Sequence, residues 1–178
     1  MPILSATTVF EGRRFQVQRR EVIISGEAHT YDIVMHPGAA IILPILDDGR
    51  VVLINNYREA VKQELLELPA GTLDDGEDPA GCAARELTEE TGYTAGNIVP
   101  LLDFYSTPGI LNEHMYTFLA TNLTPGPTAH EAGEQITVVP MPYKQAIDAV
   151  RDGRIIDAKT ILALLYYDHF ISGQGTTA

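Results

Sequence analysis

A helix with clear start and stop signals, set between apolar strand segments, constrains the fold of this chain most. Asp78-Pro79 is typical of a helix start, because Asp caps unpaired N–H groups and Pro suits the first turn. Gly92 is typical of a helix end. Between them Ala83 and Leu87, four residues apart, form an apolar stripe. The sequence therefore predicts a helix from Pro79 to about Thr91 that packs on a sheet.

Apolar segments on both sides of this helix predict the strands of that sheet. Residues 38–46 and 51–57 look like two core strands, and they flank Asp47-Asp48-Gly49, a strong hairpin signal. Residues 65–69 predict a short strand that leads into Gly71. The remaining predicted elements are strands near 98–106, 115–120 and 135–139, helices near 143–152 and 158–170, and a long loop over 121–134. This order predicts an α/β domain.

Shorter strands precede that main body. The segment from Val9 to Met35 is rich in β-branched and aromatic residues, with turns at Glu11-Gly12 and Ser25-Gly26. We expect it to form a small antiparallel sheet of its own. We therefore divide the chain into N-terminal strands, residues 1–35, and one compact domain, residues 36–178, which suits a chain of 178 residues with 45% apolar positions.

Charge and cysteine content exclude several classes of partner. The 12 Lys and Arg against 24 Asp and Glu give a formal charge of −12, which opposes loose binding to nucleic acid or to anionic lipid. Cys82 has no second cysteine with which to form a disulfide. The chain has no evident secretory signal and no run of 18 apolar residues. We expect a cytoplasmic protein with a small-molecule ligand and no nucleic-acid or membrane partner.

Acidic residues cluster on one face of the predicted helix. Glu86, Glu89 and Glu90 stand at positions i, i+3 and i+4, so their carboxylates project side by side. Like charges at this spacing repel by a few tenths of a kcal/mol per pair. Arg85 offsets part of that repulsion, and a hard divalent cation, which prefers oxygen ligands, would offset the rest. The three glutamates alone also suit a solvated helix face, but Glu77 adds a fourth carboxylate near the helix start.

The acidic helix is part of a longer pattern. Gly71, Glu77 and the run from Arg85 to Tyr93, REL TEE TGY, match the signature Gx5Ex7REUxEExGU of the Nudix hydrolases. Seven matching positions would arise by chance in such a chain on the order of once in a million. Tyr93 replaces the usual aliphatic residue. The resemblance implies an α/β/α sandwich with a mixed β-sheet, Mg²⁺ or Mn²⁺ as cofactor, and hydrolysis of the pyrophosphate in nucleoside diphosphate derivatives.

The resemblance also implies roles for residues of the motif. Glu86 and Glu90 would be metal ligands, with the main-chain carbonyl of Ala70 completing the coordination. Glu89 and Arg85 would be additional ligands or catalytic residues that support the ligands.

A loop glutamate supplies a metal ligand or the catalytic base in the subfamily of ADP-ribose pyrophosphatases. It lies just before a strand of the type ExIxV, and residues 134–138, EQITV, fit that pattern. Glu134 is therefore the first choice for ligand or base. Glu131 is the alternative base, because spacing in this loop varies.

The segment after the motif resembles the same subfamily. Residues 105–109, YSTPG, place Pro108 fifteen residues after Tyr93, where the subfamily has a proline. Taken alone, Thr107-Pro108-Gly109 would also suit an ordinary turn. The resemblance implies four substrate-binding residues: Arg58, Pro108, Gly109 and Glu113.

The implied reaction is hydrolysis of ADP-ribose to AMP and ribose 5-phosphate. One alternative is a pyrophosphatase for another nucleotide sugar, such as GDP-mannose or a UDP-sugar. A second alternative, from another class, is a Nudix-fold module that binds nucleotide without cutting it. Such modules usually lose motif glutamates, whereas this chain keeps Glu77, Glu86, Glu89 and Glu90.

The resemblance extends to the N-terminal strands. ADP-ribose pyrophosphatases use an N-terminal sheet to form a swapped homodimer, so residues 1–35 are predicted to mediate dimerisation. Aromatic residues of that region often stack on adenine in the subfamily. Phe10, Phe15 and Tyr31 are the candidates here.

Overall fold

The N-terminal strands form a sheet of their own. In the computed structural model the described residues are 3–130, 133 and 135–173. The strands β1 (Ile3–Glu11), β2 (Gln16–Ile24) and β3 (Glu27–Met35) pair antiparallel in that order. Ser25 and Gly26 both have positive φ, 54° and 87°, as a two-residue hairpin turn requires. The prediction of a small N-terminal antiparallel sheet is confirmed.

A four-stranded mixed sheet forms the centre of the main body. Its order is β7 (Ala70–Thr72), β4 (Ala39–Pro44), β9 (His114–Pro125) and β8 (Tyr93–Tyr105). Strand β4 runs parallel to β9 and antiparallel to β7, while β8 and β9 are antiparallel. This confirms the mixed sheet.

A third sheet contains β10 (Ile136–Pro142), β5 (Arg50–Arg58) and β6 (Gln63–Glu67), all antiparallel. The hairpin predicted around Asp47-Asp48-Gly49 is therefore wrong beyond its turn. The turn forms, with the Leu46 N–H donating to the Arg50 carbonyl at 2.9 Å, but the ladder stops at a single bridge between Ile45 and Val51. A strand has only two edges, and both edges of β4 and of β5 pair with other strands.

The helices lie where the sequence places them. They are α1 (Pro79–Thr91), α2 (Tyr143–Arg151) and α3 (Ala158–Tyr166), and α3 continues into a π-helical turn, Tyr167–Ile171. Asp78 caps α1 by accepting the Gly81 N–H at 3.2 Å, and Gly92 ends it with φ of 75°. Among the described residues, no helix is long and apolar enough to cross a membrane.

Strand β4 separates two hydrophobic layers. Ala39, Ile41 and Leu43 belong to the cluster that contains α2 and α3, whereas Ala40 and Ile42 belong to the cluster that contains α1. Side chains of a strand alternate between its two faces, so a strand buried on both sides reads as a continuous apolar run. Helices thus cover both faces of the sheet, which confirms the α/β/α sandwich.

Strands β8 and β9 extend further than the sequence predicts. Residues 121–125, placed in a loop by the sequence reading, continue β9, and Tyr93 pairs with Pro125 at the far end of the ladder. Leu123 packs against the hydrophobic cluster under α1, which accounts for the extra strand length. The loop prediction was wrong for these five residues.

Hydrogen bonds join the N-terminal sheet to the main body at the end of β3. The Val34 N–H donates to the Ile110 carbonyl at 2.8 Å, and the Asn112 N–H donates to the Val34 carbonyl at 3.1 Å. The His36 N–H then donates to Asn112 Oδ1 at 2.7 Å. The β8–β9 connection is thereby tied to the start of the main domain.

Candidate active site

A cleft of about 690 Å³ lies between the acidic face of α1 and the β8–β9 connection. The turn between β1 and β2 and the start of α3 also contribute to its walls. Its lining includes the predicted residues Arg58, Ala70, Arg85, Glu86, Glu89, Glu90 and Glu113. Residues far apart in the sequence, from both ends of the chain, therefore meet at this cleft.

Gly71 makes room for the Glu86 carboxylate. A Cβ atom built on Gly71 would lie 1.8 Å from Glu86 Oε1 and 1.9 Å from its Cδ, far inside van der Waals contact. Any side chain at position 71 would displace this carboxylate. The first glycine of the motif is thus explained by the position of its second glutamate.

Glu90 is held against the same strand. Its side chain is buried, with only 3% of the residue exposed, and its Oε2 accepts the Ala70 N–H at 2.9 Å. The carboxylates of Glu86 and Glu90 therefore both lie at β7, where Ala70 begins the strand.

Arg85 lies among three carboxylates. Its Nε and Nη2 donate to the two oxygens of Glu77, both at 2.9 Å, and its Nη1 donates to Glu86 at 2.6 Å and to Glu89 at 3.1 Å. The hydrogen bond from Arg85 is the main reason that the pKa of Glu77 falls to about 2. The bond to Glu77 likewise raises the pKa of Arg85. Arg85 therefore offsets the repulsion expected from the acidic helix.

The donor set fits a hard divalent cation. Glu86, Glu89 and Glu90 all line the cleft from one helix face, and carboxylate oxygens are the ligands that Mg²⁺ and Mn²⁺ prefer. In the described part of the chain, no three His, Cys, Asp or Glu side chains already converge as a metal site. Instead, Nη1 of Arg85 lies within hydrogen-bond distance of both Glu86 and Glu89, so these two carboxylates are paired with the arginine.

The β8–β9 connection brings Glu113 to the cleft and leaves the neighbouring turn outside. Glu113 Oε2 accepts a hydrogen bond from Ser106 Oγ at 2.7 Å, and its Oε1 lies 3.4 Å from His36 Nδ1. Pro108 and Gly109 occupy an exposed turn and are absent from the cleft lining, although Thr107 is part of it.

A buried charged cluster flanks Arg58, and sequence reasoning missed it. Arg58 Nε donates to Glu67 Oε1 at 2.7 Å, and Glu67 is fully buried. Lys159 contacts the other oxygen of Glu67 and lies 2.9 Å from Asp157. Burial alone would lower the pKa of Arg58, but its bond to Glu67 and the surrounding carboxylates raise it. The presence of Glu67 within the apolar segment 65–69 was the one sequence feature that could have indicated this cluster.

Two arginines from the N-terminal sheet also line the cleft. Arg13 and Arg14 lie in the turn between β1 and β2, directly after Glu11-Gly12. The sequence predicted only a turn at this position and no contribution to a binding site. Together with Arg58 and Lys159 they supply positive charge facing the acidic helix, in a protein whose formal charge is −12.

The two candidate loop bases, Glu131 and Glu134, lie outside the described residues. The residues before them contact the end of α1: the Ala129 N–H donates to the Glu89 carbonyl at 2.9 Å, and His130 Nε2 lies 3.0 Å from the Glu90 carbonyl. His130 thus packs on the helix that carries the acidic residues.

His114 and Cys82 have packing contacts. His114 lies between Tyr105 and Tyr116, with ring centroids at 4.7 and 4.3 Å. Cys82 is buried in the cluster under α1, and burial raises the pKa of its thiol to about 12.

The three candidate aromatic residues for adenine stacking lie in the N-terminal sheet. Phe10 and Phe15 pack together with ring centroids 5.8 Å apart beside the turn that carries Arg13 and Arg14. Tyr31 lies in β3 beside Arg20. None of these three aromatic residues belongs to the cleft lining.

Comparison with known proteins agrees with the fold. The family model described as the NUDIX domain matches residues 35–164. The chain is 34% identical to an ADP-ribose pyrophosphatase of Bacillus subtilis over 89% of this chain and 87% of that protein. It is 38% identical to a GDP-mannose pyrophosphatase of Yersinia pestis over 78% and 75% of the two chains.

A solved structure gives the same result for the fold. The crystal structure of an ADP compounds hydrolase superposes with a TM-score of 0.85 at 28% identity, covering 98% of this chain and 95% of that chain. The chain therefore belongs to the Nudix family and is a pyrophosphohydrolase that groups with the ADP-ribose pyrophosphatases.

Proposed function

We propose that this protein hydrolyses the pyrophosphate of ADP-ribose to AMP and ribose 5-phosphate, with Mg²⁺ or Mn²⁺ as cofactor. The observation that carries the proposal is one cleft with Glu86, Glu89 and Glu90 on one wall and positively charged side chains on the others. Relatives named ADP-ribose pyrophosphatase support the choice of substrate.

Glu86 and Glu90 would hold the metal together with the Ala70 carbonyl, and Glu89 and Glu134 would be further ligands. When bound, the ion neutralises phosphate charge and lowers the pKa of the attacking water. Gly71 leaves room for the Glu86 carboxylate, and the Ala70 N–H holds the Glu90 carboxylate in place.

The remaining roles belong to side chains that bind substrate or move a proton. Water attacks one phosphorus, the bridging P–O bond breaks, and the water proton passes to Glu134 or, alternatively, to Glu131. Arg58 would bind the phosphates or the terminal ribose, and Glu113, Pro108 and Gly109 would be further substrate-binding residues. Arg85 would orient Glu77, Glu86 and Glu89, to which it donates hydrogen bonds.

A different nucleotide sugar is the second candidate substrate. The 38% identity to a GDP-mannose pyrophosphatase favours it, and the cleft chemistry described above suits any nucleoside diphosphate sugar equally. A pyrophosphatase for GDP-mannose or a UDP-sugar would use the same carboxylates, because the scissile pyrophosphate is shared.

We propose in addition that residues 1–35 mediate a homodimer of the 36–178 hydrolase domain. The N-terminal sheet exposes apolar side chains that a partner would cover, namely Ile3, Leu4, Val9, Phe10 and Tyr31. Deletion of residues 1–35 should disrupt the dimer, and a stable, active monomer in light scattering would contradict the proposed dimerisation.

We propose a cytoplasmic location as well, which the single free cysteine supports because the fold needs no disulfide.

A substrate panel tests the proposed reaction. ADP-ribose, NADH, GDP-mannose and UDP-glucose are each incubated with Mg²⁺, Mn²⁺ or EDTA, and the products are identified by chromatography. We expect AMP and ribose 5-phosphate from ADP-ribose, with no turnover in EDTA. Far faster turnover of GDP-mannose than of ADP-ribose would overturn the substrate assignment, and full activity in EDTA would overturn the metal.

A further inference from the structure

Glu67 is a fully buried acid in contact with two cations that line the cleft. Its side chain is 1% exposed, one oxygen accepts from Arg58 Nε at 2.7 Å, and the other contacts Lys159. Arg58, in contrast, keeps 38% of its side chain exposed. The arginine is therefore anchored at Nε, and its two Nη groups, with four N–H donors, are not used by that bond.

Strand register places Arg58 and Glu67 on the same face. Glu67 pairs with Ile54, and Arg58 lies four residues further along β5, so both side chains project on the same side of the sheet. Each side chain must extend along the strand to reach the other. The hydrogen bond therefore sets the direction of the arginine, which would otherwise rotate freely at the exposed end of β5.

Lys159 is placed by the start of α3. Asp157 caps this helix by accepting the Thr160 N–H at 3.0 Å, and it also lies 2.9 Å from Lys159 Nζ. Thr160 Oγ1 accepts the Leu68 N–H at 2.8 Å, which joins α3 to the residue after Glu67. The contact between Lys159 and Glu67 thus rests on a rigid helix start.

Stability alone is a poor explanation for such a cluster. A buried ion pair loses the hydration of both charges, and well-packed apolar residues in its place are often as stabilising. What the cluster supplies that apolar residues cannot supply is a guanidinium held in one orientation at the cleft wall.

We propose that Glu67 is a positioning residue, which holds Arg58 in the orientation that binds the anionic diphosphate of the substrate. The proposal rests on the proposed function for the identity of the substrate. It does not require Glu67 to touch the substrate, and it assigns Lys159 the role of pairing with the second carboxylate oxygen.

A double-mutant cycle tests this role. The KM and kcat of the wild type, Arg58→Ala, Glu67→Gln and the double variant are measured on the panel substrate with the highest kcat/KM. We expect each single substitution to raise KM by about tenfold or more, the scale of a lost charge-assisted hydrogen bond, with a smaller change in kcat. In the Arg58→Ala background, Glu67→Gln should change KM by less than about twofold.

Two further variants distinguish an effect on Arg58 from a general loss of folding. Glu67→Asp keeps the buried negative charge but shortens the side chain by one methylene, so it should raise KM in the wild type and not in the Arg58→Ala background. Glu64→Gln, an exposed position on the same strand, is the matched control and should leave KM unchanged. Thermal unfolding of every variant shows whether it is folded.

An equal rise in KM in both backgrounds would mean that Glu67 acts independently of Arg58 and would overturn the proposal. So would an unchanged KM for folded Glu67→Asp and Glu67→Gln. The substrate panel tests the identity of the substrate, whereas the double-mutant cycle tests the role of Glu67. Failure of one proposal can therefore be distinguished from failure of the other.

Discussion

The two walls of the cleft have opposite charge arrangements. On α1, one cation, Arg85, is surrounded by the carboxylates of Glu77, Glu86 and Glu89. At the ends of β5 and β6, one buried carboxylate, Glu67, is surrounded by the cations Arg58 and Lys159. We refer to the first group, together with Glu90 of the same helix and cleft, as the acidic wall, and to the second group as the basic corner.

The two regions differ in the burial of their central charge, Arg85 in one and Glu67 in the other. In the acidic wall Glu90 is buried, but Arg85 and Glu89 keep 30% and 34% of their side chains exposed. In the basic corner the central Glu67 and its partner Lys159 are 1% and 10% exposed, while Arg58 keeps 38% of its side chain exposed at the cleft. Water and the cleft reach Arg85, whereas the buried charge of Glu67 is compensated by Arg58 and Lys159. Removal of Lys159 beside Glu67 should therefore cost stability above all, whereas removal of a carboxylate from the acidic wall should change rate above all.

The largest expected effect is on stability at the basic corner. Lys159→Met leaves the buried Glu67 with a single cationic partner and should lower the free energy of unfolding by about 3 kcal/mol. Denaturant unfolding measures the change. Lys144→Met, at an exposed position of α2, removes the same charge and serves as the control. Equal stability of the two variants would contradict the difference between the regions.

The next effect is on rate at the acidic wall. Glu90→Gln removes a metal-ligand charge in our proposal, so turnover should fall by at least about two orders of magnitude, the scale for loss of a preorganised charge-stabilising group. Steady-state kinetics at saturating Mg²⁺, with thermal unfolding alongside, measures it. A near-normal rate in this variant would remove Glu90 from the metal site.

A smaller loss of rate is expected when the Glu86 carboxylate is displaced. Gly71→Ala places a methyl group where the Glu86 oxygen now lies, so kcat should fall between about tenfold and a hundredfold. Gly81→Ala is the matched control, because nothing lies within 4 Å of a Cβ at that helix position. Equal kinetics of the two alanine variants would show that the position of Glu86 is unimportant.

The smallest effect concerns the neutralisation of the acidic wall. Arg85→Gln removes the cation among three carboxylates and should lower the unfolding midpoint in EDTA by about 2–4 °C, the shift for roughly 1 kcal/mol in a domain of this size. Added Mg²⁺ should restore part of the loss, because a ligand that binds the folded state stabilises it. Differential scanning fluorimetry with and without Mg²⁺ measures this, and a midpoint that does not respond to the ion would contradict it.

The two regions also differ in how far the sequence could predict them. Apart from Glu77, the acidic wall lies on one helix, so the spacing of Glu86, Glu89 and Glu90 already places them on one face. The basic corner joins residues 9 and 92 positions from Glu67, and no local period connects them. Only the pairing of β5 with β6 and the packing of α3 bring them together.

The same distinction applies to the fold. The start and end of α1 were predictable because its capping residues are local, with Asp78 and Gly92 acting within a few positions. The β4–β5 hairpin was mispredicted because the turn at Gly49 is local, whereas the choice of strand partners is made by β7, β9, β6 and β10. Arg13 and Arg14 were missed for a related reason, since nothing near them in the sequence indicates a distant cleft.

Strand β4 packs against the acidic wall with one set of side chains and against the basic corner with the other. Its odd-numbered side chains pack towards α3, which carries Lys159, and its even-numbered side chains pack towards α1, which carries the glutamates. Ile41 and Ile42 are neighbours in the chain, yet each supports a different wall. Substitutions along the six residues of this strand can therefore alter the packing behind either region separately. An odd-numbered position affects the basic corner, and an even-numbered position affects the acidic wall.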